Sequence, residues 1–121
     1  MPIFDIDIVT RHGENPPASL ARDLADALGA SLGATAGKVW VRVHLTPTDH
    51  YAENETGIGR PFPVFVTLTA SSPPEGAQLE ARIAHVTEAV ARLTDRAADN
   101  VHVLVAPAAR GRIAFGGKLV K

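Results

Sequence analysis

Val39-Trp40-Val41-Arg42-Val43-His44-Leu45-Thr46 alternates aliphatic with polar or aromatic side chains. That period of two marks a strand with one buried and one partly wetted face. Pro47, which has no amide proton, ends it. Upstream, Leu20, Leu24, Leu28 and Leu32 recur every four residues, so they share one face of a helix. Pro16 and Pro17 suit its start, and Gly33 and Gly37 close the segment. Before the helix, Pro2 to Val9 is rich in β-branched and aromatic residues and runs into the polar loop Thr10-Arg11-His12-Gly13-Glu14-Asn15. This segment is predicted as the first strand.

The same plan repeats downstream. After a loop from Thr48 to Pro63, Val64 to Ala70 reads as a third strand. A second helix follows Ser72-Pro73-Pro74-Glu75, with Leu79, Ile83, Val86, Val90 and Leu93 on one stripe. Val101, Val103 and Val105 mark a fourth strand, and Arg110 to Val120, with Gly111, Gly116 and Gly117, is a short extended or hairpin tail. Two β-α-β units with right-handed crossovers put parallel strand pairs in one four-stranded sheet, with both helices on one face. The expectation is an α/β (α+β) fold forming a single domain over 1–121, with pseudo-repeat halves 2–56 and 62–121. Asp5, Asp7, Trp40, Arg42, His44, Thr67 and His102 fall on the opposite face, a mixture suited to an oligomer interface with a wet, charged centre.

Composition narrows the classes of function. Of 121 residues, 45% are apolar and 21% charged, as in ordinary globular domains. Twelve Lys and Arg against thirteen Asp and Glu leave no positive field for a polyanion, so nucleic acid is not an expected partner. The chain has no cysteine, which excludes disulfides, thiol nucleophiles and thiolate metal sites and fits a reducing cytoplasm. No apolar run approaches the ~18–20 residues of a membrane span, and the start lacks the basic region of a signal peptide, so a cytoplasmic protein without a membrane partner is expected.

Three stretches together resemble the tautomerase superfamily: Met1-Pro2-Ile3-Phe4 at the start; Val41-Arg42-Val43 followed by His50-Tyr51; and the tail Ala109-Arg110-Gly111-Arg112-Ile113-Ala114-Phe115-Gly116-Gly117-Lys118-Leu119. The likeness is to its double-length members, fused 4-oxalocrotonate-tautomerase-like units, and to macrophage migration inhibitory factor. It implies a homotrimer packed as a barrel and a cofactor-independent tautomerase or isomerase. The implied substrate is a small 2-oxo or 2-hydroxydienoic acid or a related enolisable carbonyl, so the expected partners are a small carboxylate or enol and two further copies of the chain.

The resemblance makes Pro2 the catalytic residue once Met1 is removed. A proline amino terminus is a secondary amine, able to shuttle a proton or to add to a carbonyl, and a pKa below the ordinary ~8 would leave it neutral. Met1, if retained, would acylate it. Arg42 matches the family's substrate-gripping arginine, and its planar guanidinium suits a carboxylate or a developing enolate. On the polar sheet face it could equally pair with Asp5 or Asp7. Arg11 lies within one position of the family's second arginine. The resemblance further implies substrate-binding positions for Lys38, near a pocket lysine, for His102, where a tyrosine stands in migration inhibitory factors, and for Tyr51 and Ile113, which stand where the family has an aromatic pocket wall. Dehalogenase and decarboxylase branches carry arginines after the third strand, where this chain reads Ala70-Ser71-Ser72-Pro73-Pro74. The alternative is a catalytically silent trimeric binding or assembly protein.

Other motifs weigh little. Gly57-Ile58-Gly59 lacks the third glycine and the strand-helix context of a dinucleotide loop and reads as a turn. His44, Asp49 and His50 match no metal-ligand spacing, so no metal is expected. Arg110, Arg112, Lys118 and Lys121 make a basic tail.

Overall fold

The computed structural model describes residues 2–56 and 62–121; the Gly57-Ile58-Gly59 turn expected from sequence lies outside them. Strand β1 (Ile3–Thr10) leads to helix α1 (Leu20–Leu32) and strand β2 (Trp40–Pro47). Strand β3 (Val64–Thr69), helix α2 (Gly76–Thr94) and strand β4 (Val101–Val105) repeat that order. Two-residue strands β5 (Ala114–Phe115) and β6 (Lys118–Leu119) close the chain as a hairpin. Its turn, Gly116-Gly117, takes φ of 58° and 83°, the left-handed pair that a two-residue hairpin requires and glycine supplies without a Cβ clash.

The sheet order is β2-β1-β3-β4. Within each half the strands are parallel, as a helical crossover demands, and the halves join through an antiparallel β1–β3 seam. Helix α1 begins at Leu20, later than the prolines suggested, because the Leu20 amide donates to the Pro17 carbonyl in a turn ahead of the first helical residue. Gly33 ends it at a left-handed φ of 61°.

Alternation on the strands sorts the side chains into two layers. Phe4, Ile6 and Ile8 of β1 and Val64, Val66 and Leu68 of β3 are fully buried against Leu24 and Leu28 of α1 and Val86 and Val90 of α2. Each such side chain contributes about 1.5–3 kcal/mol by leaving water. Val41 and Val43 of β2 and Val103 and Val105 of β4 extend this core toward the sheet edges and are partly buried. Asp5, Asp7, Trp40, Arg42, His44, Thr67 and His102 stand on the uncovered face. Phe65 and Leu104 join them there, 40% and 63% exposed, although they are apolar.

Candidate active site

Parallel pairing of β1 with β2 and antiparallel pairing with β3 bring the start of β1, the start of β2 and the end of β3 to one end of the sheet. Pro2 sits there, half-buried, its carbonyl accepting a 3.1 Å hydrogen bond from the Trp40 amide. The indole of Trp40 donates in turn to the Gly37 carbonyl at 3.1 Å and meets Phe115 of the tail hairpin edge to face, with centroids 5.3 Å apart. The hairpin reaches this end because the segment after β4 is anchored along β3: Ala106 donates to Leu68, Ala109 to Ala70 and Arg110 to Ser71. Half-buried Ile113 is held in that hairpin, its carbonyl bonded to the Val120 amide at 2.9 Å. Lys38, exposed, precedes Trp40 by two residues, and its amide donates to the Thr35 carbonyl at 3.1 Å.

Arg42 lies two residues along β2 from Trp40 and opposite Asp5 in register. Its Nε donates to Asp5 Oδ1 at 2.6 Å and its Nη2 to Asp5 Oδ2 at 3.0 Å, a bidentate fork across neighbouring strands. Hydrogen bonding to Asp5, and then the Asp5 charge, raise the guanidinium pKa above its ordinary value. His44 Nε2 approaches the same carboxylate to 3.9 Å, while Asp7 accepts from the Thr46 hydroxyl. Of the two pairings open to Arg42 from sequence, the chain by itself forms the one with Asp5.

The other candidates gather at the opposite end of the sheet. Arg11 follows the last residue of β1, nine residues and about 30 Å of extended chain from Pro2. Its guanidinium lies 5.7 Å from the centroid of the Phe62 ring, and its amide donates to Glu14. Tyr51, just beyond β2, packs its ring 5.9 Å from that of Phe65, which in turn lies 5.5 Å from the His102 ring. The Tyr51 hydroxyl donates to Glu53 at 2.8 Å. Burial first, then that hydrogen bond and the Glu53 charge, push the phenol above its ordinary value. One chain therefore brings Pro2, Lys38, Arg42 and Ile113 toward one end and keeps Arg11, Tyr51 and His102 at the other.

Sequence reading missed Phe65 and Leu104 as outer-face residues, although each lies two residues along its strand from one it did place there, Thr67 and His102. It also missed the Trp40–Phe115 contact, which joins residues far apart in the chain. Among the described residues, no three His, Asp or Glu side chains are grouped to hold a metal ion, and no helix is long and apolar enough to cross a membrane.

No protein-family model and no curated protein sequence matches this chain. Solved structures do. A native fused 4-OT (4-oxalocrotonate tautomerase) superposes with a TM-score of 0.78 at 19% identity, covering 97% of this chain and 94% of that one. A wild-type fused 4-OT described as an asymmetric trimer gives 0.72 at 23%, with the same coverage. Pt0534, solved after inactivation by 2-oxo-3-pentynoate, gives 0.73 at 21%, covering 98% of this chain and 94% of its own. The chain has the tautomerase fold along nearly its whole length.

Proposed function

We propose that this protein is a cofactor-independent tautomerase whose Pro2 amine, exposed by loss of Met1, moves a proton on a small enolisable carbonyl compound. The observation that carries this reading is the position of Pro2: half-buried at the start of a central strand of a tautomerase fold, and pinned through its carbonyl by Trp40. A neutral amine there removes the proton beside a carbonyl, and the same nitrogen, now protonated, returns it at oxygen or at another carbon. Partial burial favours the neutral amine. The inactivation of Pt0534 by a 2-oxo acid supports a 2-oxo or 2-hydroxydienoic acid, or a related carbonyl, as substrate.

The assembly belongs to the same reading. One of the two fused 4-OT structures of the comparison is a trimer. Here, among the described residues, β2 and β4 each have an edge without a strand partner, and Phe65 and Leu104 stand apolar on the uncovered sheet face. A cytoplasmic homotrimer would cover these surfaces and let Arg11, Tyr51 and His102 of one copy approach the Pro2 end of the next. One observation favours the second reading, a silent trimeric binding or assembly protein: Asp5 already occupies the arginine that would grip a carboxylate.

The test is the decay of phenylenolpyruvate, corrected for buffer catalysis, with the mature protein, Pro2→Ala and a variant carrying one added N-terminal residue. The mature protein should accelerate ketonisation with a pH–rate limb below the ordinary α-amino value of ~8. Pro2→Ala should slow the chemistry and the extension should abolish it. 2-Oxo-3-pentynoate should add to Pro2 in the mature protein alone, as intact mass and peptide mapping would show. Equal rates in all three proteins, with no adduct, would leave the silent reading standing.

A further inference from the structure

We propose that Asp5 sets the substrate class of the Pro2 site, turning it from carboxylates toward uncharged enolisable carbonyl compounds by occupying the Arg42 fork. The inference rests on the tautomerase reading for its link to turnover, and on the geometry of the sheet for the rest.

A guanidinium presents five N–H groups and two edges able to grip a planar carboxylate in bidentate fashion. In this chain the Nε/Nη2 edge is taken by both oxygens of Asp5, at 2.6 and 3.0 Å. The other edge, Nη1 with the second Nη2 proton, carries no hydrogen bond among the described residues. A substrate carboxylate arriving there would meet a cation whose charge is already compensated and a second anion across the same guanidinium. A carbonyl or ester oxygen, which needs a donor but no net positive charge, would lose far less.

The pair is built into the sheet. Asp5 and Arg42 are register partners on adjacent parallel strands and face the same side, so the fork closes across one interstrand spacing. Asp5 is also opposite Thr67 on β3, which places its carboxylate in the interior of the sheet face with its side chain one-third exposed. Arg42 is two residues, about 7 Å of strand, from the Trp40 amide that holds Pro2. On the tautomerase reading, a ligand enolised at Pro2 extends along this face toward Arg42. Asp5 therefore acts through Arg42 as a specificity residue and takes no part in proton transfer.

The experiment compares phenylenolpyruvate with the enol of its methyl ester, in which a methyl group replaces the negative charge, on the mature full-length protein, Asp5→Asn, Asp5→Ser and Asp5→Asn/Arg42→Ala. Wild type should prefer the ester. Asp5→Asn should raise the acid-to-ester ratio of kcat/KM by about tenfold or more with the ester rate little changed, and adding Arg42→Ala should return the ratio to its starting value. Asp5→Ser, which cannot hold the fork with two oxygens, should do the same, so the result does not depend on one replacement. Calorimetric titration with hydrocinnamate and its amide, neither of which enolises, reads the same charge selectivity without turnover. The acid should bind tighter to Asp5→Asn than to wild type, and the amide equally to both. If neither enol is turned over by wild type, the tautomerase reading fails, and titration alone decides whether Asp5 screens Arg42. An unchanged acid-to-ester ratio, or hydrocinnamate affinity that is the same in wild type and both Asp5 variants, overturns the proposal.

Discussion

Tyr51 is the chain's single tyrosine, which makes its environment directly measurable. Its phenol is raised by burial first and by Glu53 second. A phenol that ionises later in the folded than in the unfolded chain contributes stability that is fully present below the unfolded value and lost as pH rises through the folded one. Spectrophotometric titration of the folded protein should therefore show a phenolate midpoint above the ordinary value of 10.0, returning toward it in denaturant. Glu53→Gln should recover only part of the difference, because burial, the first cause, remains in the variant. A midpoint at the ordinary value in both states would show that Tyr51 is open to water in solution. Residue-scale chemistry of this kind was only half legible in sequence. Tyr51 could be nominated from the motif, but its partners Glu53 and Phe65 were not, since one lies across a short turn and the other on a distant strand.

At the scale of elements, Arg96 is the junction between the two halves. Its side chain is 6% exposed, and its guanidinium donates to the carbonyls of Phe62, Thr94 and Val9 and to both carboxylate oxygens of Glu14. These contacts tie the end of α2 to the end of β1, to the loop before α1 and to the approach to β3. Arg96→Ala would remove the guanidinium's hydrogen bonds to three carbonyls and to Glu14, whose side chain is 24% exposed and keeps the Arg11 amide as a donor. The expected loss is about 3 kcal/mol or more, seen as a lower denaturant midpoint. Arg96→Lys should recover only a fraction, since one ammonium cannot span acceptors arranged on both edges of a guanidinium. A loss below about 0.5 kcal/mol for the alanine variant would mean that water replaces these bonds at little cost. Periodicity located the helices and strands, but gave no hint of this clamp, because a lone arginine after a helix looks like any solvated charge.

For the whole molecule, the question is what covers the second sheet face. Leu104, 63% exposed in the isolated chain, is an apolar side chain that burial between copies would stabilise and solvent would not. Leu104→Asp should preserve the fold, because the residue makes no part of the core between sheet and helices, while shifting particle mass from the three chains of the proposed trimer toward one. Light scattering at micromolar concentration, with circular dichroism as the control for folding, measures both. A trimer that survives this change would place the interface away from β4.

The sequence by itself determined the layers and the order of elements along the chain, while the β2-β1-β3-β4 order across the sheet came from the tertiary structure. Alternation in β1, β2, β3 and β4 and the leucine and valine stripes of α1 and α2 are local patterns that admit one amphipathic arrangement each, and the glycine pair of the tail admits a hairpin. It also put Asp5 and Arg42 on the same face, but left the guanidinium between substrate and neighbour. Only the tertiary structure supplied the Asp5 fork, because which residues stand opposite each other depends on strand register, and register is fixed by the core packing of residues elsewhere on β1 and β2. The same reason separates Pro2 from Arg11 and Tyr51: a strand carries chemistry from one end of a sheet to the other, and no local pattern records how far.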